Sequence, residues 1–473
     1  MLPQEHSHWG IENSHWGIKN IHFVGIGGIG MSGIAEILLN LGFKVSGSDL
    51  ASSETTERLA RLGADISLGH RPENIRRADV VVVSSAVRSD NVEVQAAREK
   101  AIPVIPRAEM LAELMRMKYG IAIAGAHGKT TTSSMIAAVL ARGGLDPTAI
   151  IGGKVKSLGS NAHPGKGDFL VAEADESDRS FLRLSPTIAV VTTLDEEHLD
   201  HYRDLADIQE AFLQFINRVP FYGLAVLCSD EVHLQELLPQ VEKRTLTYGL
   251  QPPAHYQGRE LSFQQHTTTF TAYQGEEALG RIRLPVPGQH NIANALGAIA
   301  VGMELGIPFS IIREALESFT GIQRRFEVKG ESPEILLVDD YGHHPTEIQA
   351  TLRAAKAGWG ERRLVVTFQP HRYTRTHTLF DKFISAFDEA DLLILTRIYP
   401  AGELPIPGVD SRLLYEKIQE RGHPPVLYFE EKEEIIGYLL EARQPGDLLL
   451  TLGAGDIWKV GEAFWERYQG LAS

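Results

Sequence analysis

The sequence predicts an α/β protein of three domains, each a mostly parallel sheet flanked by helices. Three observations support this. The chain has 473 residues, which at about 150 residues per domain leaves room for three. Short apolar runs alternate with helical stretches in the strand, turn, helix order of parallel sheets. Two of the turns are glycine-rich, at residues 25–30 and 125–128, and each sits where a strand hands over to a helix.

Composition sets the class. With 43% hydrophobic and 8% aromatic residues, the chain can bury cores and is not disordered. A net charge of -15 argues against nucleic-acid or anionic-membrane partners, which need a basic footprint. The single cysteine, Cys228, cannot form an internal disulfide and suits a reducing compartment. No apolar run is long enough to span a bilayer, and the start lacks a basic-then-apolar leader pattern. The expectation is a soluble cytoplasmic protein with no membrane insertion.

Residues 1–19 read as a peripheral extension. They hold most of a tandem heptapeptide, "SHWGIEN" then "SHWGIKN", too short for a solenoid. His6, His8 and His15 lie in it, but a terminal tail seldom fixes metal geometry.

The first domain, 20–118, opens with the strand "IHFV" (21–24), the turn "GIGGIG" (25–30) and a helix over 31–42 ending at Gly42. "KVSGSD" is a second strand carrying Asp49 at its end, and "DVVVVSSA" (79–86) is another. Gly25, Gly27 and Gly30 fit G-x-G-x-x-G. Glycines let the backbone approach a diphosphate at a helix N-terminus, where amides and dipole favour anions. This makes a Rossmann-like nucleotide site without choosing between NAD and a UDP-sugar.

The central domain, 119–321, opens with the strand "IAIA" (121–124), the loop "GAHGKTTT" (125–132) and a helix stopped by Gly143 and Gly144. A standard phosphate loop has four residues between its glycines; this one has two, Ala126 and His127. Its strand-to-helix context still favours a phosphate cradle over a plain turn with an exposed lysine. Lys129 would reach the β and γ oxygens of ATP and Thr130 would ligate Mg²⁺. Downstream, "VAEADESD" (171–178) and "VVTTLDEEHLDHY" (190–202) each follow an apolar strand, placing Glu173, Asp175 and His198 near the phosphates. Acidic clusters are usually solvated faces, whereas a carboxylate ending a buried strand beside a phosphate loop suits Mg²⁺. A lone histidine such as His198 is more often a packing residue.

The third domain, 322–473, repeats a buried strand and a polar loop four times: "EILLVDDYGHHPTE", "RLVVTFQPHRYTRT", "DLLILTRIYPAG" and "DLLLTLGAGDIWKV". Polar side chains after parallel strands are where such sheets bind ligands, so the three loop sets are expected to face a common cleft.

Together "GIGGIGMSGIAEIL", "GAHGKTTT", "EADESD", "GQHNIANALGA", "RRFE", "VDDYGHHPTE" and "QPHRYTRT" resemble the Mur ligase family, in family order from about residue 20 to the end. The two-residue gap in the phosphate loop is that family's own form. The resemblance implies a UDP-substrate site at Gly25, Gly27, Gly28, Gly30, Asp49 and Ser84. It implies Mg-ATP at Gly125, Ala126, His127, Gly128, Lys129, Thr130 and Thr131, with Asn291, Arg325 and Asp340 also at the nucleotide. Thr130, Glu173 and His198 would hold the metal, with Mn²⁺ able to substitute. Tyr341, His343, Arg372 and Arg375 would hold the amino acid, and Lys129, His198, Arg325 and His343 would serve catalysis. "EADESD" and "GIGGIGMSGIA" resemble the members that add L-alanine to UDP-N-acetylmuramate in peptidoglycan precursor synthesis, as a monomer or weak homodimer. The alternatives are a ligase attaching a recycled tripeptide to the same acceptor, and an NAD-dependent oxidoreductase, which leaves the phosphate loop unexplained. Relatives acting on later amino acids use a carbamylated lysine at the metal; here no lysine lies between Lys166 and Lys243.

Overall fold

Buried apolar runs set the strands, and glycine or capping residues set where each helix begins. The computed structural model describes residues 18–84, 86–155, 160–198 and 201–472, so most of the tandem heptapeptide lies outside the described residues. Two compact units emerge, Met1–Gln257 with Asn294–Ala315, and Gly258–Ala293 with Leu316–Ser473. Each is described by itself.

The first unit holds two sheets. One contains β1 (Asn20–Val24), β2 (Lys44–Asp49), β3 (Asp65–Leu68), β4 (Val80–Val83) and β5 (Val104–Pro106), all parallel in the order β3-β2-β1-β4-β5. Its helices are α1 (Ile29–Asn40), α2 (Glu54–Arg61), α3 (Val92–Glu99) and α4 (Arg107–Arg116). α1 starts two residues before the expected Met31, because Gly28 serves as its N-cap. It ends at Asn40, where Gly42 turns the chain at φ +87° and donates to Leu39 O. The strand expected over 79–86 stops at Val83, leaving Ser84 in the loop beyond it.

The other sheet of this unit contains β6 (Tyr119–Ala124), β7 (Thr148–Val155), β8 (Ser160–His163), β9 (Phe169–Glu173), β10 (Ile188–Val191), β11 (Leu224–Cys228) and β12 (Thr245–Gly249), in the order β12-β11-β10-β6-β9-β7-β8. All pairs are parallel except β7 with β8. β6 and β10 are completely buried apart from Tyr119 at the edge. α5 (Lys129–Arg142), α6 (Leu205–Asn217) and α7 (Val232–Leu237) follow strands of this sheet.

The chain enters the second unit within β13 (Tyr256–Gln264), and β14 (Thr267–Gln274) pairs antiparallel with β15 (Glu277–Leu284). α8 (Gln289–Glu304) and α9 (Phe309–Glu317) each lie partly in both units. The last sheet contains β16 (Glu327–Glu331), β17 (Ile335–Asp340), β18 (Arg363–Phe368), β19 (Leu392–Leu395), β20 (Val426–Tyr428) and β21 (Asp447–Leu452), in the order β16-β17-β21-β18-β19-β20. Only β16 runs antiparallel. α10 (Pro345–Trp359), α11 (Tyr373–Thr378), α12 (Phe380–Ile384), α13 (Ser411–Arg421), α14 (Lys432–Ala442) and α15 (Trp458–Ala472) accompany it. Leu336, Val338, Leu364, Val366, Leu448 and Leu450 build the core on one face of this sheet, and Leu337, Val365 and Leu449 build it on the other. That period-two alternation on both faces explains the continuous apolar strands. Among the described residues no helix is long and apolar enough to cross a membrane.

Candidate active site

The central glycine loop is shaped by contacts that leave no room for side chains. Gly125 lies at φ +136°, where a Cβ would sit 2.2 Å from Thr192 Oγ1. Gly128, at φ +81°, would place a Cβ 2.6 Å from Asn294 Oδ1. Just past the end of β10, Thr193 O accepts from Ala126 N at 3.0 Å and Thr193 Oγ1 accepts from His127 N at 2.8 Å. His127 Nε2 lies 3.2 Å from Asp195 Oδ2. Thr130 and Thr131 fall in the first turn of α5, and the Thr130 carbonyl accepts from Ser133 and Ser134 hydroxyls.

Lys129 points back over the loop. Its Nζ donates to Gly125 O at 2.5 Å, Ala126 O at 3.3 Å and Glu176 Oε1 at 2.6 Å. Burial alone would lower its pKa, but Glu176, Asp175 and Glu197 outweigh that and hold it above the ordinary lysine value. The cation is therefore fixed at the loop by two carbonyls and a carboxylate.

The donor group around His198 includes two carboxylates that the sequence did not single out, Glu176 and Glu197. His198 takes a left-handed backbone, φ +58°, and its Nε2 lies 3.7 Å from Glu176 Oε1 and 3.5 Å from Glu197 Oε2. One ligand atom from each of Glu176, Glu197 and His198 falls within 4.8 Å of the others. Glu176 Oε2 is buried with no hydrogen-bond partner. Glu173, expected as a metal ligand, accepts from Gly152 N at 2.6 Å and Ser133 Oγ at 3.4 Å. Glu176 and Glu197 were both within quoted motifs, but loop residues past a strand end follow no periodicity that marks which of them turns inward. Tyr202 OH fixes the acidic loop by donating to Glu176 O at 2.6 Å.

Asn291, expected at the nucleotide, donates from its Nδ2 to Pro287 O at 2.7 Å. Asn294 of α8 meets the phosphate loop, and its Oδ1 accepts from Thr132 Oγ1 at 3.1 Å. The i, i+3 spacing of two asparagines on one helix was the available signal.

The first glycine loop is built differently. Gly25 N and Ile26 N donate to Ser48 O at 2.8 and 3.1 Å, and Gly27 N donates to Asp49 Oδ2 at 2.8 Å. Asp49 thus braces the loop from the end of β2. Behind it, Glu93 is fully buried and accepts from Ser48 Oγ at 2.6 Å, Asn74 Nδ2 at 2.5 Å and Arg71 N at 3.1 Å, with His22 Nε2 at 3.3 Å. Burial would raise its pKa, yet these donors bring it down to about 2. Gly28 and Gly30 lie at the start of α1, and Ser84 follows β4.

In the second unit, Asp340 ends β17 and accepts from Gly342 N and Phe326 N, both at 2.7 Å. Burial pushes its pKa up to about 6 against the opposing pull of Arg325 and the two amides. Arg325 reaches Glu347 at 3.5 Å and lies 5.4 Å from the centre of the Tyr341 ring. His343 Nδ1 sits 3.1 Å from Tyr341 O. Arg372 has φ +70° and approaches Glu403 at 3.9 Å, while Arg375 Nη1 lies 3.3 Å from His371 Nδ1. His371, which lies in "QPHRYTRT" but was given no role there, stacks on Tyr399 at 5.6 Å and lies 5.9 Å from His343. Burial, then the neighbouring His343, Arg375 and Arg372, bring its pKa down to about 3. A neutral imidazole adds no further positive charge beside Arg372 and Arg375.

Three family models match the chain: the Mur ligase family catalytic domain over residues 20–119, the Mur ligase middle domain over 123–302, and the Mur ligase glutamate ligase domain over 324–455. The chain is 59% identical to the UDP-N-acetylmuramate–L-alanine ligase of Geotalea uraniireducens, across 95% of this chain and 98% of that one. It is also 59% identical to the ligase of the same name from Geobacter sulfurreducens, across 94% and 97%. Among solved structures it is similar to the UDP-N-acetylmuramate-alanine ligase of Thermotoga maritima, with TM-score 0.80 and 31% identity over 95% of this chain and 99% of that one.

Proposed function

The chain belongs to the Mur ligase family, and on that premise we propose that it joins L-alanine to the lactyl carboxylate of UDP-N-acetylmuramate at the expense of ATP, the first peptide step of peptidoglycan precursor synthesis. The observation that carries the chemistry is Lys129, held by two loop carbonyls and Glu176 at the start of α5. The near-full-length alanine-ligase relatives favour alanine as the amino acid.

The chemistry follows from charge. A carboxylate resists attack by an amine because oxide is a hopeless leaving group. Transfer of the γ-phosphoryl group to the lactyl carboxylate gives an acyl phosphate and ADP. The alanine amine attacks the acyl carbon, and the tetrahedral intermediate expels phosphate to leave the amide. The first step brings two anions together, so fixed cations lower its barrier. Lys129 supplies one, and Arg325 supplies another to the phosphates. Asp340 and Asn291 are assigned to the nucleotide through their neighbours in the family motifs. Tyr341, His343, Arg372 and Arg375 are assigned to alanine, whose carboxylate suits a guanidinium pair. The UDP moiety is assigned to Gly25, Gly27, Gly28, Gly30, Asp49 and Ser84.

Glu176, Glu197 and His198 fit a divalent cation, with two carboxylates, one imidazole and an orphaned buried oxygen. Thr130 and Glu173 are assigned to the same magnesium centre. When bound, Mg²⁺ neutralises phosphate charge. The functional divisions are set at 118/119 and 321/322, and the protein acts in the cytoplasm as a monomer or weak homodimer.

The test is phosphate release by the purified protein. It is expected only when ATP, Mg²⁺, UDP-N-acetylmuramate and L-alanine are all present. Turnover with a tripeptide and none with alanine would overturn the substrate assignment.

A further inference from the structure

Arg107 touches both ligand loops of the first unit. It is the first residue of α4, and its Nη2 donates to Asp175 Oδ2 at 3.0 Å. Its other edge lies over Gly30: a Cβ there would stand 2.8 Å from Nη1 and 3.1 Å from Cδ. Gly30 is the second residue of α1, at the end of the first glycine loop. Asp175 lies between Glu173 and Glu176, and Glu176 holds Lys129. One side chain, only 23% exposed, therefore spans from the first glycine loop to the acidic loop of the phosphate site. A second tie runs alongside, with Arg183 of the 3-10 turn Ser180–Arg183 donating to Glu109 of α4 at 2.9 Å.

A guanidinium suits this place because its five donors lie in a rigid plane and can serve two anions on different edges; an ammonium is a point charge on a flexible stem. The Nη2 edge is committed to Asp175. The Nη1 edge lies beside the start of α1, where backbone amides and dipole favour a phosphate.

We propose that Arg107 is a positioning residue that couples the two substrate sites: a phosphate of the UDP substrate engages its Nη1 edge while Asp175 keeps Nη2, so that filling the first glycine loop fixes the acidic loop beside Lys129. This rests on the assignment of UDP-N-acetylmuramate to the first glycine loop. The coupling is positive, because a guanidinium held from both sides leaves Asp175, and with it the backbone leading to Glu176, a narrower range of positions.

Calorimetry tests it with two probes, UDP-N-acetylmuramate and a non-hydrolysable ATP analogue, each titrated alone and in the presence of the other. The wild type is expected to bind the analogue about 5- to 10-fold more tightly once UDP-N-acetylmuramate is bound. Arg107→Ala should lose that enhancement and bind UDP-N-acetylmuramate more weakly, while binding the analogue alone as the wild type does. Asp175→Asn should lose the enhancement yet keep its affinity for UDP-N-acetylmuramate alone, a split that general damage would not produce. Arg107→Lys, which keeps the charge and the fold, should retain UDP-N-acetylmuramate affinity in part and lose the coupling. Wild-type coupling in Arg107→Ala or Arg107→Lys, or no coupling in the wild type, would overturn the inference while leaving the activity assignment intact. Failure of the wild type to bind UDP-N-acetylmuramate would overturn the substrate assignment, and the inference with it.

Discussion

The two glycine loops of the first unit share one plan and differ in one respect. Each follows a buried strand, opens a helix, and is pinned by backbone amides to the end of a neighbouring parallel strand. Residues 25–30 hang on Ser48 and Asp49 at the end of β2, and residues 125–128 hang on Thr193 past β10. The first loop, "GIGGIG", carries no charge of its own. The second delivers Lys129 into a ring of carbonyls and carboxylates. On the proposed assignment, the same strand, turn and helix would hold a phosphate passively through amides in one loop and act on one through a fixed cation in the other. What separates the two uses is one side chain at the start of the helix and the carboxylates that orient it.

The largest effect should come from removing that side chain. Lys129→Ala is expected to lower turnover by on the order of 10²–10³ with UDP-N-acetylmuramate affinity unchanged by calorimetry. Lost affinity in the folded variant would break the division of labour between the loops.

The first loop should respond to its buried brace instead. The pKa of Glu93 is about 2, against an ordinary 4.5. A depressed carboxylate stabilises the fold fully above pH 4.5, and that contribution, about 3 kcal/mol, disappears as the pH falls towards 2. Denaturation in urea across this range should show the loss in the wild type and its absence in Glu93→Gln, which is already less stable at neutral pH. Parallel curves for the two proteins would remove Glu93 from the brace.

Matched glycine substitutions sharpen the contrast. Gly125→Ala adds a Cβ at φ +136° against the Thr192 hydroxyl and the Thr193 backbone, for which about 1–3 kcal/mol of strain is expected. Gly30→Ala meets the flexible Arg107 side chain first, at Nη1, Cδ and Cζ, so its loss of stability should be smaller. Thermal melts that reverse this order would show that the second loop is the more pliable.

The smallest effect concerns the metal. His198→Ala should raise the Mg²⁺ concentration for half-maximal rate several-fold, with little change in melting temperature. Lower stability with unaltered metal dependence would make His198 a packing residue. With no lysine between Lys166 and Lys243, added bicarbonate should leave the rate unchanged.

The sequence by itself determined the strands and the places where they turn. β1, β6 and β17 lie where their apolar runs predicted, β2 lies where "KVSGSD" was read as a strand, and both glycine loops stand between strand and helix, because period, glycine and caps act over a few neighbouring residues. Only the tertiary structure decided which polar groups meet. It brought Glu176 to Lys129, set Asn294 against Gly128, placed His371 beside His343 and Arg375, and carried Arg107 across to Asp175. Apart from His371 with Arg375, which are four residues apart, these contacts join residues far apart in the chain. In "EADESD" three carboxylates stand within four positions, and no local periodicity ranks them. Their roles follow from distances that exist only once the sheets have packed, when burial makes each unpaired charge costly and each pairing selective.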